Sequence, residues 1–308
     1  MNSVLNVAIK DIQESIRTKR LIITLAIFVL AGIGMAYWIK SVIMNLPVGE
    51  GGSLGNEQFL SRAVRGNLLS TAKNFLAIIS MLIGADALNR EIESGTIKVT
   101  LGHPIYRDQF LLGKLLGRAV TVIIGFVIFA SVSTASMLII GIPLSSDMLL
   151  TFIKPLPFFI LFSLVYLSLG MLLSTAIKKP STAIIIAVIL PIFLEIIYPM
   201  VVSTIMALRT ISSGTTSPEV IQEMVRKTQT FFMIQPGFHL ENINNAIFYG
   251  VTSSQLAQNM AFSLSLQTPE VSYLEALGVA WKNIIILAVM MLIPFALGYL
   301  RFMKADLR

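Results

Sequence analysis

The sequence predicts an all-α membrane protein that crosses the bilayer six times as a single transmembrane domain over residues 1–308. The first observation is composition, since 55% of the residues are hydrophobic and only 13% are charged, whereas soluble domains carry about 25% charged residues. The second is a series of apolar stretches of membrane-spanning length. The third is that Lys and Arg cluster in the short segments between these stretches, as the positive-inside rule requires.

Four spans are marked by long apolar sequence. They cover about residues 21–43, 119–142, 155–177 and 283–300, and each encloses an uncharged run between two charged residues. A helix needs about 20 mostly apolar residues to cross the hydrocarbon core, so each stretch is long enough to span it.

Two further spans are less regular. The stretch at about 68–88 has Lys73 near one end and Asp86 near the other, and such side chains can extend to the membrane interfaces. The stretch at about 182–208 contains Pro191, Pro199 and an acid, Glu195. Because proline bends or breaks membrane helices, this fifth span is predicted to be kinked or partly re-entrant.

Positive charge sets the predicted orientation. More than half of the 23 Lys and Arg residues lie in four short segments, 1–20, 87–118, 178–179 and 301–308. All four segments fall on one side of a six-span topology, so both termini are predicted to be cytoplasmic. Segments 44–67 and 209–281 then lie on the outer side.

Residues 1–20 are predicted to contain an amphipathic elbow helix before the first span. Leu5, Ile9, Ile12 and Ile16 recur at helical spacing, and the charged residues fall elsewhere around the helix. Such a helix lies flat on the inner membrane surface. Packing of the helix against the protein itself is the alternative.

The 89–118 segment is predicted to project into the cytoplasm as a compact helical hairpin between the second and third spans. Gly95 is a natural C-terminal stop for a helix, and Pro104 breaks the chain before the third span. An ordinary solvated loop is the alternative interpretation.

On the outer side, 209–281 is predicted to contain a helix of about 15 residues beginning near Pro218 and a second short helix over 236–251.

Catalytic chemistry has little support in this sequence. The chain has no cysteine, which excludes disulfides and thiolate metal sites. Its two histidines, His103 and His239, are far apart on opposite predicted sides, so they are not expected to share a metal. No nucleotide-binding or catalytic motif occurs, so no bound cofactor and no enzyme activity are expected in this chain. Its basic residues lie beside apolar spans, which does not favour nucleic-acid binding.

Glu195 is the clear acid at predicted mid-span depth. Placing a carboxylate in hydrocarbon costs roughly 3 kcal/mol on insertion scales, which by default suggests function. Glu195 could contact substrate in a translocation pathway, carry a proton, or pair across a subunit interface. Alternatively, the neighbouring prolines make the segment irregular and let Glu195 reach water.

The 89–118 segment resembles the coupling element of the type-2 ABC exporter permeases. That family's pattern is acid-x-x-Gly-Thr, then an apolar stretch, then a proline followed by a basic residue, and then Gly-Lys entering the third span. The matching residues here are Glu91, Glu93, Gly95, Thr96, Pro104, Arg107, Gly113 and Lys114. Three other stretches are similar to features of this family. SIRTKR at 15–20 is similar to its first-span entry, IQPGFHL at 234–240 to its outer segment before the last span, and the tail at 299–308 to its C-terminal ending. The long outer segment looks closest to the branch that includes permeases for copper-enzyme maturation and for gliding or sodium export.

The resemblance implies an exporter subunit in the plasma membrane of a prokaryote. Two permease chains, as a homodimer or a heterodimer, would pack around a central pathway in contact with lipid. Two separately encoded ABC ATPase subunits would bind ATP and Mg beneath them. The residues matched above would couple to a cleft on each ATPase, so that ATP binding rocks the spans between inward-facing and outward-facing states.

An ion-coupled secondary transporter using Glu195 is the main alternative. Intramembrane ionisable groups are typical of that class, but inverted repeats are too, and no internal repeat is visible here. The projecting cytoplasmic hairpin also favours the permease. A non-transport membrane scaffold and an integral membrane enzyme are the remaining alternatives.

Overall fold

The computed structural model describes residues 3–17, 19–44, 53–93, 95–97, 106–141, 150–151, 153–177, 179–212, 218–253 and 271–304. Regular structure in these ranges is helical, which confirms the predicted all-α class. The elements are α1 (Ser3–Arg17), α2 (Arg20–Met44), α3 (Ser53–Glu93), α4 (Arg107–Ile139), α5 (Leu156–Ala176), α6 (Pro180–Ile192), a π-helical turn (Phe193–Ile197), α7 (Tyr198–Ser212), α8 (Pro218–Phe232), α9 (Pro236–Tyr249) and α10 (Tyr273–Lys304).

Within the part of the chain that the structure describes, six helical segments are long and apolar enough to cross a membrane, as predicted. They are Ile22–Ser41, Leu68–Asn89, Arg107–Ile139, Leu156–Ala176, Pro180–Ser212 and Tyr273–Lys304. We call the side of the bundle that carries α1 and the end of α10 the terminal side, and the opposite side the distal side. The third span, predicted at about 119–142, belongs to α4, which already begins at Arg107 and ends at Ile139.

The α5 helix lies at the centre of the bundle, where it packs against α3, α4, α9 and α10. Its Phe162 and Tyr166 side chains are fully buried. Gly84 on α3 faces Gly170 on α5, and a β-carbon on either glycine would overlap the backbone of the other helix. Small residues at helix contacts in membranes allow this close approach, so the α3–α5 pair forms a rigid centre.

The α1 helix has two different faces. One face carries Val7 and Asp11 and packs onto α4, where the absence of a side chain at Gly113 leaves room for Val7. The other face carries Leu5, Ile9 and Ile16, which are about half exposed. Packing on the protein therefore accounts for one face, and contact of the second face with a membrane surface stays a prediction.

The fifth span follows one helical path from α6 through the π-helical turn to α7. Pro199 cannot donate a hydrogen bond to the carbonyl of Glu195, and its ring crowds that carbonyl, which favours a wider turn just before it. The Tyr198 N–H bonds to the Phe193 carbonyl, five residues back. The sequence locates this irregularity correctly, but the alternative that the span is itself partly re-entrant is wrong.

The segment between the fifth and sixth spans folds back onto the bundle. The α7 and α8 helices pack as an antiparallel pair, since the Tyr198 hydroxyl donates to the Phe231 carbonyl and the Thr210 side chain contacts Met224. After α8 the chain turns and α9 runs along α10. The turn between α8 and α9 reaches the π-helical turn of the fifth span, and we call α8, this turn and α9 the distal hairpin. Helices of about the predicted extents are thus present at 218–232 and 236–249.

Candidate functional site

Among the described residues, two clusters built around buried charged side chains lie at opposite ends of the bundle. The terminal cluster joins α1, α3 and α4 and consists of Asp11, Glu91, Lys114 and Arg118. The distal cluster joins α3, α5, the π-helical turn and the distal hairpin and consists of Lys73, Tyr166, Glu195, Gln235, Gly237 and Glu241. Lys73 and Glu91 both belong to α3, so at 1.5 Å per residue this helix separates the two clusters by about 27 Å.

In the terminal cluster, one lysine joins two acids from different helices. Lys114 Nζ lies 2.6 Å from Asp11 Oδ1 and also pairs with Glu91. Arg118 Nε lies 2.9 Å from Asp11 Oδ2, and Arg118 Nη1 donates to the Ile83 carbonyl. The four charged residues are all buried. The start of the third span, the end of α3 and the N-terminal helix are therefore held together by charge as well as by packing.

The local sequence explains this geometry. Lys114 and Arg118 are four residues apart, which puts them on the same face of α4. Gly113 and Gly117 beside them allow α1 to approach closely, so Asp11 comes within reach of both cations. Lys114, predicted from the resemblance to act in ATPase coupling, is thus placed inside the chain together with Glu91.

The other predicted coupling residues lie nearer the surface. Glu93 and Thr96 are exposed, and Gly95 has φ +70°, the left-handed conformation that commonly ends helices. Arg107 Nη1 donates to the carbonyls of Phe302 and Met303 at 3.4 and 3.1 Å, which ties the start of α4 to the last turn of α10. Pro104 lies outside the described residues. Contact of any of these residues with an ATPase stays a prediction.

Tyr106 is a surface residue that the sequence interpretation missed. It immediately precedes α4, and 73% of it is exposed. Aromatic residues are enriched in protein interfaces because they combine a large apolar area with a polar tip. The available signal is an aromatic residue directly before Arg107, whereas the prediction for this segment rests on charge, glycine and proline.

In the distal cluster, the Glu195 carboxylate accepts hydrogen bonds from three elements. The Tyr166 hydroxyl donates to Oε1 at 2.5 Å, and the Gly237 N–H donates to the same oxygen at 2.9 Å. Gln235 Nε2 donates to Oε2 at 3.0 Å, and Lys73 Nζ lies 3.5 Å from that oxygen. Glu195 is only 4% exposed, so donors within the chain replace water around this carboxylate.

Lys73 differs from its expected placement. The sequence interpretation let it extend to an interface, but its side chain is buried and turned into the bundle. Lys73 Nζ makes a 2.5 Å hydrogen bond to Glu241 Oε1 in addition to its pairing with Glu195. A buried ammonium is tolerated where acids compensate it, and two acids within reach make the inward placement favourable.

The contacts of Glu195 bear on the roles that the sequence suggests for it. The contacts with Tyr166, Gln235, Gly237 and Lys73 account for its burial, and pairing of Glu195 across a subunit interface stays a prediction. Glu195 and IQPGFHL at 234–240 each stand out in the sequence, but no local pattern links the two. That connection depends on the fold, because about 40 residues separate them. A role for Glu195 in a translocation pathway stays a prediction.

The fold and the two clusters define a class: a six-span membrane protein in which buried charged side chains join helices to one another. The chain belongs to the family described as ABC-2 family transporter protein, which matches residues 5–307. It is also similar to the probable ABC transporter permease protein NosY of Stutzerimonas stutzeri, with 27% identity over 225 residues, 72% of this chain and 76% of that protein. The protein of the same description from Pseudomonas aeruginosa is 26% identical over 223 residues, with the same coverage of both chains.

The chain is therefore an ABC-2 type transporter permease subunit embedded in a membrane, which confirms the resemblance found in the sequence. Membership of this family implies an ABC ATPase as partner. It favours the permease over the secondary transporter, the scaffold and the membrane enzyme.

Proposed function

We propose that this chain forms half of the transmembrane pathway of an ATP-driven exporter. Two such chains, identical or related, enclose the pathway, and two separate ATPase subunits bind ATP and Mg beneath them. The terminal side faces the cytoplasm of a prokaryotic cell in this proposal, because it carries the segments rich in Lys and Arg. Transport proceeds by alternating access.

The observation that carries the proposal is the pairing of Lys114 with both Asp11 and Glu91. Glu91 lies two residues before the exposed Glu93, which is the last residue of α3. Removing one member of a buried ion pair costs about 3–5 kcal/mol, so these contacts resist separation. A displacement of the loop after α3 is thus passed to α1 and α4 rather than absorbed locally.

Docking and force transfer are assigned to different residues in this proposal. The residues that meet the ATPase in this proposal are Glu93, Gly95, Thr96, Pro104, Tyr106 and Arg107. Glu91 and Lys114 are buried and act as positioning residues that fix this surface to α1 and α4.

The α3 helix connects the two ends of the protein. It carries Glu91 near its terminal-side end and Lys73 near the distal end of its membrane-spanning part, Leu68–Asn89. It also packs tightly on α5 through Gly84 and Gly170. A tilt of α3 driven from the cytoplasmic side therefore acts on the contacts of Glu195, which we place at the distal end of the pathway.

Co-purification tests the proposal. The tagged chain is extracted from its native membrane in a gentle detergent, and co-purifying proteins are identified by mass spectrometry. We expect an ATPase with a P-loop at about one copy per permease chain, and ATP hydrolysis by the complex. A preparation that contains no such ATPase, even after crosslinking in the membrane, would contradict the proposal.

A further inference from the structure

The Glu195 carboxylate is the point at which the distal hairpin is fastened to the membrane bundle. On the bundle side it is held by Tyr166 of α5 and Lys73 of α3. On the hairpin side it accepts from Gln235 and Gly237, the residues on either side of Pro236 at the start of α9. One buried side chain thus connects the bundle to the turn of the hairpin.

The start of α9 is built to receive this carboxylate. The first N–H groups of a helix have no partner within the helix, and its N-terminus carries partial positive charge. No side chain from the α9 segment caps this end, and Glu195 supplies an acceptor from a different segment. A β-carbon at Gly237 would overlap the carboxylate of Glu195, so glycine is needed here for the close approach.

The contact can open without leaving a charge buried and unpaired. Lys73 lies between Glu195, which belongs to the bundle, and Glu241, which belongs to the hairpin. If α9 moves away, Lys73 and Glu195 stay together in the bundle. Glu241 has a side chain that is already 49% exposed, so it can exchange its partner for water at little cost.

We propose that Glu195 is a positioning residue that holds the distal end of the pathway closed, and that its separation from Gln235 and Gly237 accompanies the opening of that end. The inference rests on the proposed function, because it assigns the hairpin a step in the transport cycle. Glu195 touches no substrate in this role. It sets the position of α9, which packs against α5 and α10.

Cysteine labelling reads the position of the hairpin directly, because the chain contains no cysteine of its own. Ala246 on α9 is fully buried, and Ala246→Cys places a small thiol under the closed hairpin. The full chain is produced in intact cells with its partners and exposed to a membrane-impermeant maleimide from outside. Labelling is scored on protein that elutes as a monodisperse peak after extraction.

Glu195→Gln keeps the size of the side chain but removes its charge, which weakens its charge-assisted hydrogen bonds. We expect labelling of the thiol introduced by Ala246→Cys to become about tenfold faster, because such bonds are among the stronger ones in proteins and local opening follows their loss. Glu223→Gln is the matched control, because Glu223 is an exposed acid on α8 paired with Lys227, and its labelling rate should not change. An unchanged rate in the Glu195→Gln protein would overturn the inference.

If Glu195→Gln yields no folded protein, the Gly237→Ala variant tests whether the contact between Glu195 and α9 holds the hairpin closed. Gly237→Ala adds a methyl group against the Glu195 carboxylate and should also accelerate labelling. Gly278→Ala on α10 is the control, because no atom lies near its added β-carbon, and it should leave the labelling rate unchanged. Equal labelling rates for Gly237→Ala and Gly278→Ala contradict a role for this contact.

The effect of nucleotide on the labelling rate distinguishes a failure of this inference from a failure of the proposed function. In permeabilised cells the Ala246→Cys protein is labelled with and without ATP and a non-hydrolysable analogue. A rate that responds to Glu195→Gln but not to nucleotide contradicts the ATP-driven cycle and leaves the contact standing. A rate that responds to nucleotide but not to Glu195→Gln supports the ATP-driven cycle and overturns the role of Glu195.

Discussion

The backbone N–H of Gly237 donates to the carboxylate of Glu195 at 2.9 Å, and no β-carbon would fit at Gly237. A residue of the fifth span is therefore in direct contact with the beginning of α9, across about 40 residues of sequence. The contact explains why an acid is buried in this span and why the segment before the last span contains Gln-Pro-Gly.

Gly237→Ala should lower the stability of the protein. The added methyl group overlaps a buried carboxylate, and overpacking of this kind typically costs about 1–3 kcal/mol. Thermal unfolding in detergent measures the effect. Gly278→Ala on α10 is the control, because no atom lies near its added β-carbon and alanine favours helix, so its unfolding midpoint should be unchanged or slightly higher. Equal midpoints for the two variants would contradict the close contact.

Lys114→Met should destabilise the protein strongly, by about 3–5 kcal/mol, because it leaves the buried acids Asp11 and Glu91 without their shared cation. Adding Asp11→Asn should recover part of the loss, since one uncompensated charge is then removed. A double-mutant cycle on unfolding midpoints measures this coupling. Lys227→Met removes an exposed ion pair with Glu223 and should change stability by less than about 1 kcal/mol. Strict additivity of Lys114→Met and Asp11→Asn would show that the terminal cluster does not act as a unit.

Glu93→Arg and Tyr106→Ala should each reduce the ATP hydrolysis that the assembled complex couples to transport, while leaving the unfolding midpoint of the isolated chain unchanged. Both side chains are exposed, and surface substitutions away from special features usually shift stability by less than about 0.5 kcal/mol. Co-purification of the ATPase with each variant measures docking. Glu91→Arg is a poor probe of docking, because Glu91 is buried against Lys114 and its replacement disturbs the fold. Normal ATPase recovery with both surface variants would remove them from the docking surface.

Arg107→Ala should loosen the end of α10. The guanidinium donates to carbonyls of the last turn of that helix, where a positive charge also interacts favourably with the helix dipole. Hydrogen exchange of the backbone amides at residues 300–304 should become faster. These include the amide of Phe302, whose ring stacks on Phe110. Arg107→Lys retains the charge but not the planar group, so it should give an intermediate result. Unchanged exchange in the alanine variant would contradict this anchoring.

The number and approximate position of the spans could be predicted from the sequence, because lipid imposes length and hydrophobicity on each helix independently of its neighbours. The irregular fifth span could be predicted as well, since Pro191 and Pro199 act through their local backbone chemistry. These predictions depend only on residues near one another in the chain.

The contacts of the buried charges could not be predicted in the same way. Asp11 is about 100 residues from Lys114, and Lys73 is more than 100 residues from Glu195, so their pairing depends on how the helices pack. The burial of Lys73 shows the consequence, because its sequence environment alone is equally compatible with a side chain that extends to an interface. Glu91 and Lys114 match the family's coupling pattern, yet only the packing of α1 against α4 places them inside the protein.

Site-specific photo-crosslinking from position 106 tests most directly whether this permease is driven through its terminal side. A photoreactive residue replaces Tyr106 in one protein and Ile139 in a second, because Ile139 is 86% exposed at the opposite end of the same helix. In native membranes with all partners present, we predict a crosslink to a P-loop ATPase from position 106 and none from position 139. Crosslinks to the ATPase from position 139 instead, or from neither position, would contradict the account.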